Sequence, residues 1–201
     1  MAALPDDCEP HMIDRQNDRE VQVGIEKGFV QTVLVALNPR SGGQERSGLI
    51  RDCLQAIEFK GFKAIAETSV EALCELAHEE RAAGRLRAVV SAGGDGTLAL
   101  WANRLPSDVA IAVLPLGTEN IVAKCLGCRA SAADLATTLA EGREVQWDAG
   151  VANGRIFLAM LGAGFDAEVV RRLHSARRGH ISYLSYVSPI LQTIATYRYP
   201  E

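Results

Sequence analysis

A glycine-rich loop carries the residue types that bind phosphate. Gly93-Gly94-Asp95-Gly96-Thr97 follows an apolar run typical of a buried strand and precedes a helical pattern. Glycines at such a junction let backbone N–H groups close on phosphate oxygens, and the helix N-terminus adds partial positive charge. The loop lacks the Gly-Lys-Ser/Thr ending of a Walker A motif. The pattern therefore predicts a phosphate site that contains no lysine of its own.

A carboxylate lies within this loop. Phosphate would repel Asp95 unless the carboxylate binds a divalent cation or accepts a proton from an attacking hydroxyl. Both roles belong to phosphoryl transfer. Two alternatives stay open: an Asx turn, in which Asp95 bonds its own backbone, and the dinucleotide fingerprint Gly94-x-Gly96-x-x-Ala99. The fingerprint requires an acidic residue at the end of the next strand, where the chain has Pro115-Leu116-Gly117.

The elements that must position this loop are predicted from apolar periodicity. Strands that are apolar on both faces and alternate with helices indicate a parallel sheet with helices on both faces, a Rossmann-like α/β fold. Ligands of such sheets bind beyond the carboxyl ends of the strands, where we expect loops 38–43, 93–97 and 115–120. Strands are predicted over residues 29–37, 62–68, 86–92 and 109–114, and helices over 45–58, 69–84, 98–104, 120–126 and 131–141.

The pattern changes near residue 145, where we predict a second, β-rich unit. Asn153-Gly154 supplies the two positive φ angles of a tight hairpin turn between strands at 145–152 and 155–160. A flexible loop is predicted at 162–167, followed by helices at 168–174 and 181–197. The last helix is too short and too polar to span a membrane, and core packing and contact with a lipid both stay open as its role.

Composition narrows the class of protein. The chain has 201 residues and a net charge of −4, and residues 1–28 hold seven acidic and three basic residues without apolar periodicity. We therefore predict a disordered acidic leader at 1–28, a nucleotide-binding domain at 29–144 and a partial second domain at 145–201. The leader does not resemble a secretory signal, which favours a cytoplasmic protein. The absence of a basic stripe argues against nucleic acid as a partner.

The five cysteines are predicted to be reduced thiols. Cys125 and Cys128 form a single C-x-x-C pair. The pair is either half of a metal or redox site, or two small residues that flank a helix end at Gly127.

Four motifs occur together, in the order Asn38-Pro39-x-Ser41-Gly42, Thr68, Gly93-Gly94-Asp95-Gly96-Thr97 and Pro115-Leu116-Gly117-Thr118-x-Asn120. With them, residues 30–200 resemble the catalytic-domain family of diacylglycerol kinases. That family includes bacterial lipid kinases and sphingosine kinases, and NAD kinases are its distant relatives. The resemblance implies a kinase that uses ATP and Mg²⁺ to phosphorylate a lipid hydroxyl at a membrane surface, with transient peripheral contact to that membrane.

The resemblance also implies a role for each motif. Asp95 is the implied catalytic residue, and Asp166 and Glu168, where the family's lipid-binding domain opens, are the implied substrate-binding residues. For the arginine pair at 177–178, together with Arg171 and Arg172, the alternative is a solvated helix face. The implied nucleotide-binding residues are Asn38, Pro39, Ser41, Gly42, Thr68, Gly93, Gly94, Gly96, Thr97, Gly117, Thr118, Glu119, Asn120, Arg177 and Arg178.

Two departures from the family pattern leave alternatives. Glu119 stands where bacterial lipid kinases usually have glycine; it can alter metal or substrate preference, or simply lie favourably at a helix N-terminus. The chain also ends where the family's second domain is still developing. Phosphorylation of a soluble substrate such as NAD and ATP binding without catalysis are therefore alternatives. We expect the hairpin and final helix to expose apolar surface, or to cover it in a homodimer.

Overall fold

The computed structural model describes residues 30–37, 44–175 and 183–198. Four parallel strands form its main sheet, in the order β2-β1-β3-β4. The strands are β1 (Thr32–Leu37), β2 (Lys63–Glu67), β3 (Leu86–Gly93) and β4 (Ile111–Pro115). The predicted α/β fold with a parallel sheet is confirmed.

Helices cover both faces of the sheet. Val33 and Val35 of β1 pack with Cys53 and Ile57 on one face, and Leu34 and Ala36 pack with Leu73 and Trp101 on the other. Alternate side chains of one strand therefore enter two cores, which is why β1 is apolar throughout. The helices of this part are α1 (Gln44–Phe59), α2 (Val70–Ala82), α3 (Asp95–Arg104), α4 (Ile121–Cys125) and α5 (Ala132–Glu141).

A buried polar cluster fastens the edge of the sheet opposite the candidate loops. Glu80 of α2 accepts hydrogen bonds from Thr32 Oγ1 at 2.8 Å and from Arg85 Nε and Nη2 at 2.9 Å. Hydrogen bonds from Arg85, and then from Thr32, hold the pKa of the Glu80 carboxyl below its usual range. The cluster therefore joins α2 to the start of β1 and to the residue that precedes β3.

The C-terminal part consists of a small hairpin and a helical pair. The hairpin strands are β5 (Gly150–Ala152) and β6 (Arg155–Phe157), joined by the predicted Asn153-Gly154 turn, in which φ is 50° and 72°. Beyond it lie α6 (Phe165–Ser175), one 3₁₀ turn (Tyr183–Tyr186) and α7 (Val187–Thr196). Phe165 packs edge-to-face on Tyr197, with ring centroids 5.9 Å apart.

Several predicted boundaries were wrong. The helix expected from residue 98 starts at Asp95, because Gly94 caps it and the following glycine-rich residues form its first turn. The segment predicted as a flexible loop at 162–167 contains the first turn of α6. The hairpin strands are three residues long instead of six to eight. In place of a continuous helix over 181–197, the described residues there form a 3₁₀ turn and α7.

Within the described ranges, no helix combines the length and the apolar character needed to cross a membrane.

Candidate functional site

The candidate site lies where β3 and β4 end side by side. Gly93 pairs with Pro115 in the ladder, and the N–H of Leu116 donates to the Gly93 carbonyl at 2.9 Å, which extends the pairing beyond the strands. The next residues of the two loops meet backbone to backbone: a Cβ on Gly117 would lie 2.5 Å from Gly94 Cα. The predicted phosphate loop (residues 93–97, called the phosphate loop below) and the loop after β4 are thus one contiguous surface.

The phosphate loop becomes the N-terminus of α3. The carbonyl of Gly94 accepts from the N–H groups of Thr97 and Leu98, at 2.9 and 3.1 Å. The first N–H groups of a helix have no partner within the helix itself, and the helix dipole adds positive character to them. The N-terminus of α3 therefore presents backbone donors and partial positive charge to an anion, as the sequence predicted.

Asp95, the first residue of α3, is half-buried, and its side chain reaches α4, the helix that follows the second loop. Its Oδ1 accepts a hydrogen bond from the backbone N–H of Val122, in α4, at 3.2 Å. This bond crosses to another helix, so Asp95 does not depend on a local Asx turn for its orientation. Oδ2 is the oxygen that the carboxylate can direct to a metal ion or a proton.

Asn120 closes the loop after β4. Its Oδ1 accepts from the Gly117 N–H and its Nδ2 donates to the Gly117 carbonyl, both at 2.9 Å. Asn120 adopts a left-handed backbone, with φ 50° and ψ 52°, which asparagine tolerates better than most residues. The side chain of Asn120 therefore holds Gly117 against Gly94.

Glu119 and Thr118 occupy the outer part of that loop. Glu119 pairs with Lys124, one turn into α4, at 3.6 Å, and both side chains are well exposed. An exposed pair of this length contributes little to stability. Thr118 is exposed to solvent. The carboxylate that departs from the family pattern is accordingly partly neutralised by a neighbouring lysine.

Thr68 follows β2 at the same edge of the sheet, but β1 separates β2 from β3. The backbone N–H groups of Ser69 and Thr68 donate to Glu67 Oε1, at 2.7 and 2.6 Å, and these bonds lower the pKa of Glu67. Thr68 itself is exposed, and Ser69 caps α2 as predicted. The fold thus places Thr68 at the predicted edge and two strands from the phosphate loop.

Six predicted site residues lie outside the described residues: Asn38, Pro39, Ser41, Gly42, Arg177 and Arg178. The strand before the first four, β1, ends at Leu37 beside Ala92 of β3. Their roles in nucleotide binding stay predictions.

The predicted substrate residues Asp166 and Glu168 lie in the first turn of α6. Arg171 and Arg172 both bond Glu168, at 2.6–2.7 Å, and together they lower its carboxyl pKa to about 2. Arg172 also donates to Thr196 of α7 at 2.7 Å. Glu168 is therefore engaged in joining α6 to α7, whereas Asp166 is exposed.

The C-x-x-C pair flanks a helix end. Cys125 is the last residue of α4, and Gly127 follows with φ 68°. Burial raises the pKa of the Cys128 thiol, which disfavours the reactive thiolate. Across the described part of the chain, no three His, Cys, Asp or Glu side chains converge in a way that could hold a metal ion.

Sequence reasoning missed one long-range contact near the site. Asn103, two turns beyond Asp95 on α3, bonds the backbone of Ile156 in β6. An exposed asparagine on a helix carries no local signal of such a role. A groove lined by Arg81, Arg87 and Asp108 was also not predicted; it lies at the opposite edge of the sheet and away from the site.

Comparison with known proteins assigns the family. A sequence model of the diacylglycerol kinase catalytic domain matches residues 32–152, more than half of the chain. The chain belongs to the diacylglycerol kinase catalytic-domain family. The matched range contains both glycine loops, Asp95 and the hairpin up to the end of β5.

Individual members of the diacylglycerol kinase family give the same assignment. A diacylglycerol kinase of Bacillus subtilis (strain 168) is 27% identical over 172 residues, which are 83% of this chain and 57% of the relative. A probable lipid kinase YegS-like protein of Pseudomonas aeruginosa (strain UCBPP-PA14) is 32% identical over 142 residues, 68% of this chain and 45% of the relative. The chain therefore spans about half the length of the curated relatives it matches.

A solved structure supports the fold. The crystal structure of a diacylglycerol kinase from Bacillus anthracis str. Sterne aligns with a TM-score of 0.52 at 21% identity, covering 85% of this chain and 58% of the other. At this identity the likeness concerns the fold alone.

Proposed function

We propose that the protein transfers the γ-phosphoryl group of ATP to a lipid hydroxyl, of the diacylglycerol type. The observation that carries the proposal is the junction of two glycine loops beside one carboxylate: Gly94 lies against Gly117, and Asp95 follows Gly94 at the N-terminus of α3. Membership of the diacylglycerol kinase family supports the choice of a lipid acceptor.

The phosphate groups of ATP would lie against the N-terminus of α3. Backbone donors and the helix dipole favour negative charge at that position, and the absence of side chains at Gly94 and Gly96 allows close approach. Gly117 and Asn120 would border the nucleotide from the other loop. We propose the same general role for Thr68, Gly93, Thr97, Thr118 and Glu119, and for the predicted residues at 38–42 and 177–178.

The transfer itself needs a proton acceptor and charge neutralisation. The acceptor hydroxyl oxygen forms a bond to the γ-phosphorus while the bond to the β-phosphate oxygen breaks and ADP leaves. Asp95 takes the hydroxyl proton at Oδ2, while the Val122 N–H holds Oδ1 in place. Such a group contributes on the order of 10²–10⁴ in rate.

The residues near the phosphate site fit Mg²⁺ as an ion that would be held mainly by ATP. Magnesium is commonly bound through one or two carboxylates together with substrate phosphates and water. Asp95 is the carboxylate beside the phosphate site, and its Oδ2 would either hold Mg²⁺ or accept the proton, so the remaining ligands would come from ATP and solvent. Bound there, Mg²⁺ supplies the neutralisation of phosphate charge that the lysine-free loop does not.

The decisive experiment compares Asp95→Asn with Asp134→Asn in the 201-residue chain. Asp134 is an exposed residue of α5 and serves as the matched control. With labelled ATP and diacylglycerol in mixed micelles, we expect phosphate transfer to fall by about 10²–10⁴ in Asp95→Asn and to persist in Asp134→Asn. Retained activity in Asp95→Asn contradicts the role of Asp95.

The same assay separates the alternatives. Transfer to NAD but not to diacylglycerol would contradict the lipid acceptor and favour a soluble substrate. ATP binding without transfer to either acceptor would favour a nucleotide-binding module. ATP binding is measured independently, by calorimetry. A variant that still binds ATP is folded, so a loss of phosphate transfer in that variant is not caused by unfolding.

A further inference from the structure

The side chain of Asn103 joins the helix of the phosphate loop to the C-terminal hairpin. Nδ2 donates to the carbonyl of Ile156 and Oδ1 accepts from its N–H, both at 2.8 Å. Nδ2 also donates to the Ala99 carbonyl, one turn earlier in α3, at 2.8 Å. One exposed amide thus bonds its own helix and both backbone groups of a residue 53 positions away.

Hairpin geometry explains why Ile156 is the residue held. In a hairpin with a two-residue turn, the flanking residues Ala152 and Arg155 exchange hydrogen bonds with each other. The next pair, Val151 and Ile156, is then a non-hydrogen-bonded pair whose N–H and C=O groups point away from the partner strand. Asn103 therefore supplies to the outer edge of β6 the donor and acceptor that a third strand would supply.

The hairpin needs such support. A two-stranded hairpin is marginally stable by itself in water, and each strand here has three residues. Trp147 adds one further bond within this unit, from Nε1 to the Leu158 carbonyl at 2.9 Å. The bonds of Asn103 fasten the unit to the nucleotide-binding domain.

The other end of α3 is the candidate catalytic site. Asp95 and Asn103 are eight residues apart on this helix, about 12 Å along its axis. Between them, Trp101 is buried against the sheet and prevents α3 from shifting freely. The position of the hairpin is therefore tied, through one rigid helix, to the carboxylate at the phosphate loop.

We propose that Asn103 is a positioning residue that fixes the C-terminal unit relative to Asp95, and that the acceptor lipid binds to this unit, whose exposed apolar side chains include Val151, Met160 and Leu161. For its catalytic consequence this inference rests on the proposed lipid kinase activity. A displacement of about 1 Å in a reacting group can cost on the order of 100-fold in rate. Loss of the two Ile156 bonds should thus affect the transfer step more than ATP binding.

The test compares Asn103→Ala with Arg104→Gln, a change at the next, exposed residue of α3. Hydrogen exchange of the Ile156 amide is measured by NMR with and without ATP, and kcat and both KM values are measured with diacylglycerol micelles. In Asn103→Ala we expect Ile156 to exchange about ten-fold faster or more, and kcat to fall about 10- to 100-fold, with the KM for ATP within two-fold of wild type. Arg104→Gln should change none of these quantities.

Asn103→Asp, which keeps the size of the side chain, gives a second check. Its carboxylate can still accept from the Ile156 N–H but no longer donates to the Ile156 carbonyl. Because an oxygen then faces the Ile156 and Ala99 carbonyls, which Nδ2 contacts at 2.8 Å, we expect exchange to rise and kcat to fall in the same direction as in Asn103→Ala. A kcat for Asn103→Ala equal to wild type, or an equal loss of ATP binding, would overturn the positioning role.

The exchange measurement separates this inference from the proposed function. If wild type phosphorylates no lipid, the proposed function fails, and coupling between the loop and the hairpin is judged from exchange alone. Positioning through α3 then predicts that ATP slows exchange in the hairpin of wild type but not of Asn103→Ala, since coupling between sites is reciprocal. No ATP effect in wild type would overturn the inference.

Discussion

At the scale of single residues, the candidate site depends on a contact between two glycine backbones. A Cβ on Gly117 would lie 2.5 Å from Gly94 Cα and 2.7 Å from Asn120 Oδ1. Neither neighbour is the end of a flexible side chain that could swing away freely, because Asn120 is bonded to Gly117 itself. Gly96, by contrast, has open space around the position of a Cβ.

This difference predicts opposite effects for two similar substitutions. Gly117→Ala should lower the free energy of unfolding by about 1–3 kcal/mol, because the two loops must move apart. Gly96→Ala should raise it by about 0.5–1 kcal/mol, because alanine suits a helix better than glycine. Urea denaturation measures both values.

ATP titration of the same two variants tests the phosphate site. A Cβ at Gly96 would meet no protein atom within 4 Å. With the phosphates at the start of α3, as proposed, it would instead crowd the ligand, so Gly96→Ala should bind ATP more weakly although it folds more stably. Unchanged ATP affinity in that variant would contradict the placement of the phosphates at the start of α3.

The residues of the site differ in how far sequence alone could predict them. Asp95 and the glycines stand out because their types are unusual directly after a buried strand. That the Val122 N–H holds Asp95, and that Asn103 binds Ile156, could not be predicted, since both bonds depend on distant backbone groups brought together by packing.

At the scale of elements, periodicity predicted the strands and helices, whereas their ends were less accurate. The start of α3 was misplaced by three residues because Gly96 and Thr97 have low helix propensity. In the fold, Gly94 caps the helix and the sheet positions its first turn, so tertiary context outweighs propensity. The start of α6 was misplaced for a similar reason, as Gly164 with φ 70° precedes an amphipathic helix.

The Glu80 cluster predicts a dependence of stability on pH. The pKa of the Glu80 carboxyl is lower in the folded chain than its ordinary value of 4.5. The folded state therefore binds its proton less readily than the unfolded state, and the stabilisation is fully present above that ordinary pKa. It is lost as the pH falls through the lower pKa of the folded protein.

Glu80→Gln tests this expectation against Glu79→Gln, at the neighbouring exposed residue. The first variant should lose about 1–3 kcal/mol at neutral pH, because the buried Thr32 hydroxyl and the half-buried Arg85 guanidinium lose hydrogen bonds to a charged acceptor. It should also lose part of the acid dependence seen in wild type. The urea midpoints are compared from about pH 3 to about pH 7, a range that spans the titration of carboxyl groups. Equal midpoints for wild type and Glu80→Gln over this range would show that the cluster does not stabilise the fold.

At the scale of the whole molecule, exposed apolar side chains concentrate after residue 144. Among the residues that the structure describes, ten of the thirteen exposed large apolar side chains lie there: Val145, Trp147, Val151, Met160, Leu161, Val170, Val187, Ile190, Leu191 and Ile194. The expected exposure in the hairpin and final helix is thereby confirmed for the described residues. Self-association as a homodimer stays a proposal.

The apolar face of α7 provides a test. Leu191 and Ile194 are 61% and 63% exposed, and we expect the 201-residue chain to self-associate through them or to bind a hydrophobic dye. Leu191→Ser combined with Ile194→Ser should lower both signals, whereas Ala195→Ser on the same helix should not. A wild-type chain that sediments as a monomer at all concentrations and binds no dye would contradict the expectation.

The order of strands in the main sheet has a consequence for how quickly the chain folds. β1 is central, and Val33 pairs with Ala64 on one side and with Ala88 on the other. These partners are far apart in sequence, so the chain loses the entropy of closing a long loop before the contacts of each pairing can form. Parallel sheets of this kind fold more slowly than helical proteins of similar size. During synthesis on the ribosome, the apolar β1 segment therefore stays unpaired until β2 and β3 have been made. In this interval its apolar side chains and backbone groups are exposed, which favours aggregation.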